Sequence, residues 1–274
     1  MTTIIEMQGG RFTFDETRPI EISIPLSFNG PQPNAYGVEP AVSTPCAAGE
    51  LIGDTRQGGS CNFEQYTLIP HCNGTHTECV GHITKERISI RDCLQDVLIP
   101  AVLISVEPEK RENSAEAYPG ASDNDLLLTR RSLEQAISKA CVSANSGRFA
   151  LVVRTLPNGR KKLSKVYNSV SMPSYFSTEA TQFIVDRGID HLLVDLPSID
   201  RIYDEGRLSN HRIFWSVDPG SFDVNPQTRM RATITELIFV PDTIEDGQYI
   251  LNLQIAPFAA DASPSRPVLF PITV

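Results

Sequence analysis

Two nearly unbroken apolar runs, Val97–Val106 and Phe149–Val153, constrain the fold of this chain more than any other feature. A strand with one wet face alternates apolar and polar residues, whereas an unbroken run of branched apolar residues needs cover on both faces. The longer run cannot be a membrane span, because it holds about ten residues and contains Pro100, where roughly twenty are needed. A sheet lying between other layers follows. Helices can supply part of the cover. Thr129 or Ser132 can cap one that runs to about Cys141, with Leu133, Ile137 and Cys141 on one face. Ser177, with Glu179 in the first turn, opens a second that Gly188 ends, and Ala180, Phe183 and Ile184 form its apolar stripe.

Other strand-like stretches are Ile20–Leu26, Phe63–Ile69, Leu192–Asp195, Ile213–Val217, Thr233–Val240, Tyr249–Ile255 and Pro267–Val274. In the segment 233–240, Glu236 alternates onto one face with Ile234 and Ile238. A carboxylate there is aimed into a cleft or toward solvent. Residues 27–60 are rich in Gly, Pro and Ser with little periodicity, which predicts a long loop or arm. With 274 residues, 41% of them hydrophobic, the chain can bury a full core. The predicted fold class is α/β, a single mixed, β-rich domain over residues 1–274. No internal repeat, P-loop or dinucleotide fingerprint is present.

The net charge of −9 argues against a broad nucleic-acid or anionic-membrane surface, both of which require clustered Lys and Arg. Arg130-Arg131 and Arg160-Lys161-Lys162 are short basic runs suited to a helix start and a loop. Met1–Glu6 lacks the basic start and apolar core of a signal peptide. Cys46, Cys61, Cys72, Cys79, Cys93 and Cys141 form no Cys-x-x-Cys pair, so free thiols in the cytoplasm are expected rather than a disulfide frame. The expected partner is a small-molecule substrate, with neither nucleic acid nor membrane, and the expected assembly is a homodimer or homotetramer.

The chemistry concentrates in Pro70–His82, thirteen residues that hold three of the five histidines and two of the six cysteines. Imidazole, thiolate and carboxylate are ligands for divalent transition metals. His76 and Glu78 are two apart, so an extended segment points both to one side. Gly74 before them allows a turn closed to other residues. Cys72 or His71 can supply a further ligand, but not both on an extended chain, and the residues alone leave that choice open.

Gly74-Thr75-His76-Thr77-Glu78, followed by His82, resembles the His-x-Gly-Thr-His-x-Asp-x-Pro-x-His motif of the putative cyclase family of metal-dependent hydrolases. That family includes kynurenine formamidases and isatin hydrolases. Further blocks are similar to it: Glu21–Leu26, Ser177–Ala180 with Gly188–Asp190, Val194–Asp200, His211–Phe214, and Thr235–Leu237. The resemblance implies a swivelling β/β/α architecture. It also implies that His82 is the general acid/base and that His211 and Glu236 form a second pair for metal binding or proton transfer. Thr75 would orient a ligand or the reacting water. The chain departs from the family pattern in three places: Cys72 stands at the first metal histidine, Glu78 replaces aspartate and is longer by about 1.5 Å, and Val80 replaces proline.

A divalent metal at His76, Glu78 and Cys72 or His71 would lower the pKa of water toward 7 and polarise a carbonyl. Zinc is the first expectation, given the thiol; manganese and iron suit His with carboxylates. The leading functional expectation is hydrolysis of a C–N bond in an amide or small cyclic amide, arylformamidase-like, with His82 moving the proton. A metal-assisted cyclase or lyase is the second. A non-catalytic metal-binding relative is the third, suggested by the altered ligands. His191 sits in an apolar stretch and is expected to be structural.

Overall fold

The computed structural model describes residues 2–7, 10–140 and 149–272. Nine strands form its main sheet: β1 (Ile20–Glu21), β2 (His76–Glu78), β3 (Leu98–Val106), β4 (Ala150–Thr155), β5 (His191–Val194), β6 (Thr233–Glu236), β7 (Gly247–Asn252), β8 (Ala262–Pro264) and β9 (Val268–Pro271). Their spatial order is β8-β2-β6-β5-β4-β3-β7-β9-β1. The central neighbours β3, β4, β5 and β6 run parallel, and antiparallel strands flank them on both sides. The two apolar runs of the sequence are thus the adjacent central strands β3 and β4, as strands covered on both faces must be.

Alternation along β3 and β4 sorts their side chains into two cores. Val102, Ile104, Leu151 and Val153 pack against helices, while Ala101, Leu103, Ala150 and Val152 face a second cluster with Ile22, Ile238 and Leu269. The helices on the first face are α2 (Arg130–Lys139), α3 (Thr178–Asp186) and α4 (Ser209–Trp215); α1 (Pro70–Asn73) is a single turn at the site. The second face is covered by the sheet itself. Ser23, just past the edge strand β1, bridges to Ile238, just past β6, so the sheet curls back on its own inner side chains. This is the mixed, β-rich α/β domain expected.

The helix signals hold. Thr129 caps α2 in a box with Ser132, and Ser177 caps α3 by accepting from the Ala180 N–H. Leu133 and Ile137 are buried as expected; Cys141 lies outside the described residues. Val274, the end of the last expected strand, also lies outside them.

Three expectations are corrected. Ile213–Val217 is not a strand: residues 213–215 belong to α4. Its apolar, β-branched start favours a strand locally, but Asp204 accepts from the Leu208 N–H and Asp200 from those of Asn210 and His211, so carboxylates outside the segment start a helix. The strand expected over 233–240 ends at Glu236, because Leu237 takes φ +54° and turns the chain. Ile234 therefore faces the helices and Ile238 the inner core, not one common face. The arm over 27–60 carries short ribbons, Val42–Pro45 paired with Glu64–Thr67 and Ala47–Ala48 with Leu51–Ile52. A hairpin of Thr2–Met7 and Gly10–Asp15 precedes the sheet, without having been signalled by the sequence. Among the described residues, no helix is long and apolar enough to cross a membrane.

Candidate metal centre

β2 sits between β6 and β8, and that placement builds the site. The ladder sets His76 opposite Glu236 and also opposite Pro264, with Glu78 opposite Ala262. Strand alternation then sends His76 and Glu78 to one side, while Thr77 turns to the other and shares a hydrogen bond with Thr235 at 2.8 Å. The spacing read from the sequence is therefore realised on an actual strand. His76, Glu78 and Glu236 are all buried, and one ligand atom from each lies within 4.8 Å of the others.

Gly74 does not play the role expected of it. Its backbone is extended, at φ −175°, and an added Cβ would only touch Leu26 at ordinary distance. The glycine the site does require is Gly81, where a Cβ would lie 2.1 Å from the Ile88 carbonyl oxygen. Thr75 is also reassigned. Its hydroxyl donates to the Leu237 carbonyl and accepts from the Ile24 N–H, so it ties backbone segments beneath β2. Cys79 packs under the site with Ile90 and Cys93.

Four imidazoles converge on the two glutamates. His76 Nε2 lies 3.6 Å from Glu236, and His211 Nε2, His71 Nε2 and His82 Nε2 lie 3.0, 3.3 and 3.9 Å from Glu78. Two of these rings are oriented from behind: Nδ1 of His76 lies 3.1 Å from the Gly74 carbonyl, and Nδ1 of His211 lies 2.5 Å from Asp200. His76, donating from Nδ1, turns a bare Nε2 lone pair toward Glu236, whereas His211, held between Asp200 and Glu78, can donate from both nitrogens. The fifth histidine, His191, is elsewhere and bonded to Thr233 and Asp96, as a structural residue should be.

The premise for choosing between His71 and Cys72 also changes. Residues 70–73 form a helical turn rather than an extended chain, and both side chains line the same cavity. His71 Nε2 is the one that reaches Glu78. Cys72 is buried near Glu236, and burial with that charge pushes its thiol up to about 11.

Burial and close charges shift the ionisation of these groups in opposing directions. Burial and the neighbouring His71 charge lower His76 to about 4. Burial alone would raise Glu78, but the His82 charge, the bond from His211 and the nearby His71 hold it well below the usual carboxylate range. Glu236 goes the other way, pushed well above that range by burial and by Glu78. Two facing carboxylates cannot both ionise cheaply, and His211 Nε2, 3.0 Å from Glu78 and 3.8 Å from Glu236, offsets only part of that cost. Burial disfavours a charged His71, yet Asp261 and Glu78 beside it raise it to about 10. A cation would take the place of that proton.

His71 Nε2, His76 Nε2 and Glu78 Oε2 are buried with no hydrogen-bond partner. Buried polar atoms are almost always satisfied, so buried imidazole and carboxylate atoms left without a hydrogen bond, with His76, Glu78 and Glu236 grouped within 4.8 Å, fit a metal ion. The centre opens into a cavity of about 630 Å³, within the ordinary range for small-molecule sites. Tyr36, Val38, Pro197, Ile202, Tyr203 and Leu208 wall it. Tyr36 stands edge-on to Tyr203 at 6.5 Å between ring centroids.

Sequence reasoning missed two carboxylates. Asp200 closes the segment Val194–Asp200, where its residue type alone assigns no role, and its place eleven residues before His211 is the only hint. Asp261 had no signal at all. It is 179 residues from His82, and its Oδ2 lies 3.3 Å from His82 Nδ1 and 3.2 Å from His71 Nε2. Those two rings hold its carboxyl well below the usual range.

Comparison with known proteins agrees with this architecture. A potential metal-dependent hydrolase with cyclase activity superposes with a TM-score of 0.56 at 16% identity, covering 93% of this chain and 98% of its own. Isatin hydrolase A from Labrenzia aggregata, bound to benzyl benzoate, gives 0.60 at 13% identity over 92% and 93% of the two chains. A predicted metal-dependent hydrolase from Bacillus stearothermophilus gives 0.55 at 15% identity over 92% and 98%. At such identities the likeness is one of fold. No curated protein matches the sequence. Residues 18–201 match the family described as putative cyclase, which is well over half of the chain. The chain belongs to the putative cyclase family.

Proposed function

We propose that the protein is a metal-dependent hydrolase that cleaves the C–N bond of an amide or small cyclic amide, with His82 as the group that moves the proton. The observation that carries this reading is the set of buried, unpartnered atoms His71 Nε2, His76 Nε2 and Glu78 Oε2, of which His71 and Glu78 line an open cavity walled in part by Tyr36 and Tyr203. Hydrolases of this fold, isatin hydrolase among them, support it.

His76, Glu78 and Glu236, with His71 in preference to Cys72, would hold the metal, and His211 would complete the shell through Glu78. When bound, a divalent cation there polarises a carbonyl and acidifies water. The chain's own residues do the remainder. His211, braced by Asp200, keeps Glu78 in place. The walls formed by Tyr36, Ile202 and Tyr203 seat a flat, largely apolar substrate and exclude bulk water. His82 sits at the mouth with its side chain 27% exposed, so it can exchange a proton with solvent and still reach the base of the cavity. An imidazole suits that task because its ordinary pKa lies near neutrality.

The test is a panel of N-formyl aromatic amines, isatin-like lactams and simple cyclic amides, assayed with zinc-, manganese- and iron-loaded protein and with chelated protein. Metal-dependent release of the amine or ring-opened acid is the expected result. No turnover with any metal would overturn the reading, and product formed without incorporation of solvent oxygen would point to a lyase or ring-closing reaction.

A further inference from the structure

Asp261 belongs to none of the motifs and lies outside the residues 18–201 that match the family. Its position is fixed by backbone. The Asp261 carbonyl accepts from the Cys79 N–H at 3.0 Å, and the next residue, Ala262, opens β8 in register with Glu78. The strand that closes the sheet beside β2 thereby carries a carboxylate to the outer side of the histidine cluster. There Asp261 Oδ2 meets His82 Nδ1 at 3.3 Å in hydrogen-bond geometry. His71 Nε2 also approaches it, at 3.2 Å, but makes no hydrogen bond.

The arrangement repeats what the other rings show. His76 is anchored at Nδ1 by the Gly74 carbonyl and His211 at Nδ1 by Asp200, and each presents Nε2 to a carboxylate of the centre. His82 has its Nε2 3.9 Å from Glu78 and its Nδ1 on Asp261. Its ring also stacks on His71 at 4.4 Å, which limits rotation. A neutral imidazole carries one ring proton, and the partner of one nitrogen decides which nitrogen holds it.

We infer that Asp261 is a positioning residue: it keeps the ring proton of His82 on Nδ1, so that Nε2 faces the cavity as a bare acceptor ready to take a proton. Without it, the proton can settle on Nε2, and His82 meets its substrate in the wrong tautomer. This rests on the proposed role of His82, but the placement of the proton can be measured with no substrate.

The test uses the whole protein, loaded with zinc and labelled with ¹⁵N-histidine. Long-range ¹H–¹⁵N correlation spectra at alkaline pH give the tautomer of each ring, and the His82 signals are identified by their loss in His82→Gln. Expected are Nδ1–H in the wild type and a shift toward Nε2–H in Asp261→Ala and Asp261→Asn, with zinc content unchanged. Asp261→Asn nearly preserves shape and serves if the alanine variant folds poorly. On a hydrolysed substrate, kcat should fall about 10–10²-fold with KM nearly constant, and Asp261→Glu should recover part of it. The inference is overturned if wild-type His82 carries its proton on Nε2, or if neither variant moves it. It is also overturned if Asp261→Asn loses zinc, since Asp261 would then be a ligand alongside His71 and His82. A wild type inactive toward every amide, yet with the expected tautomers, would defeat the amide reading and leave the assignment of Asp261 standing.

Discussion

At the scale of single residues, the proposed function divides the centre into groups that would bind a metal and groups that would steer the chemistry. His76 and Glu78 are fully buried and each has an atom without a hydrogen bond, so on the proposed reading removing either takes away a ligand. His76→Ala and Glu78→Ala should each lose most of the divalent metal by elemental analysis, and wild-type content in both would refute the site. His82 is half-buried at the cavity mouth. His82→Ala should keep its metal and its KM while kcat drops about 10²–10⁴-fold; steady-state kinetics on whichever amide is cleaved provides the check. Much of this was legible in the sequence because His71, His76, Glu78 and His82 fall in one short segment. Asp261 and Asp200 were not. A lone aspartate far along the chain is indistinguishable from a surface carboxylate until the fold brings it next to a ring nitrogen. The choice between His71 and Cys72 stayed open for a different reason, since the sequence suggested an extended chain where a helical turn presents both to the cavity.

Among the elements, short turns do more than length suggests. The 3₁₀ turn Val80–His82 sets the direction of His82, and Gly81 within it runs against the Ile88 carbonyl. Gly81→Ala must push that backbone apart, so a loss of about 1–3 kcal/mol in denaturant unfolding is expected. Because the turn carries His82, turnover should suffer more than stability does; an unchanged variant would mean that the loop yields freely. α4 depends on remote capping: Tyr118 donates to both Asp200 and Asp204, and those carboxylates receive the first N–H groups of the helix. Asp204→Ala should destabilise by about 1–2 kcal/mol in the same measurement. That capping explains the misreading of 213–217. Local composition favours a strand, and the residues that overrule it lie outside the window. Helices α2 and α3, by contrast, carry their own caps at Thr129 and Ser177 and were readable as they stand.

Over the whole molecule, the parallel core strands β3 and β4 were foreseeable from apolar content alone, whereas the curl that covers their second face was not. It arises from contacts such as Ser23 with Ile238, between segments that are far apart in the chain. The centre ties together β2, β6, the α4 helix and the turn before β2, so metal should stabilise the entire fold rather than a loop. A ligand that binds only the native state at a thousand times its Kd adds about 4 kcal/mol. In a chain of this size that is a rise of roughly 10 °C in melting temperature. Calorimetry with and without a chelator should show a gap of that order in the wild type and none in His76→Ala. Equal melting temperatures in the wild type would show that the metal does not bind the folded chain.

The pairing of β2 with both β6 and β8 has a further consequence, for the order in which a cell can make this protein. The histidine segment leaves the ribosome early, but its cross-strand neighbours Glu236 and Pro264 are translated some 160 and 190 residues later. Until then His76 and Glu78 belong to a strand with neither edge filled. During synthesis the nascent chain displays a run of exposed imidazoles and thiols that any passing metal can visit but cannot hold in the final geometry. A metal held jointly by His76, Glu78 and Glu236 could settle into that geometry only after the last strands had paired with β2.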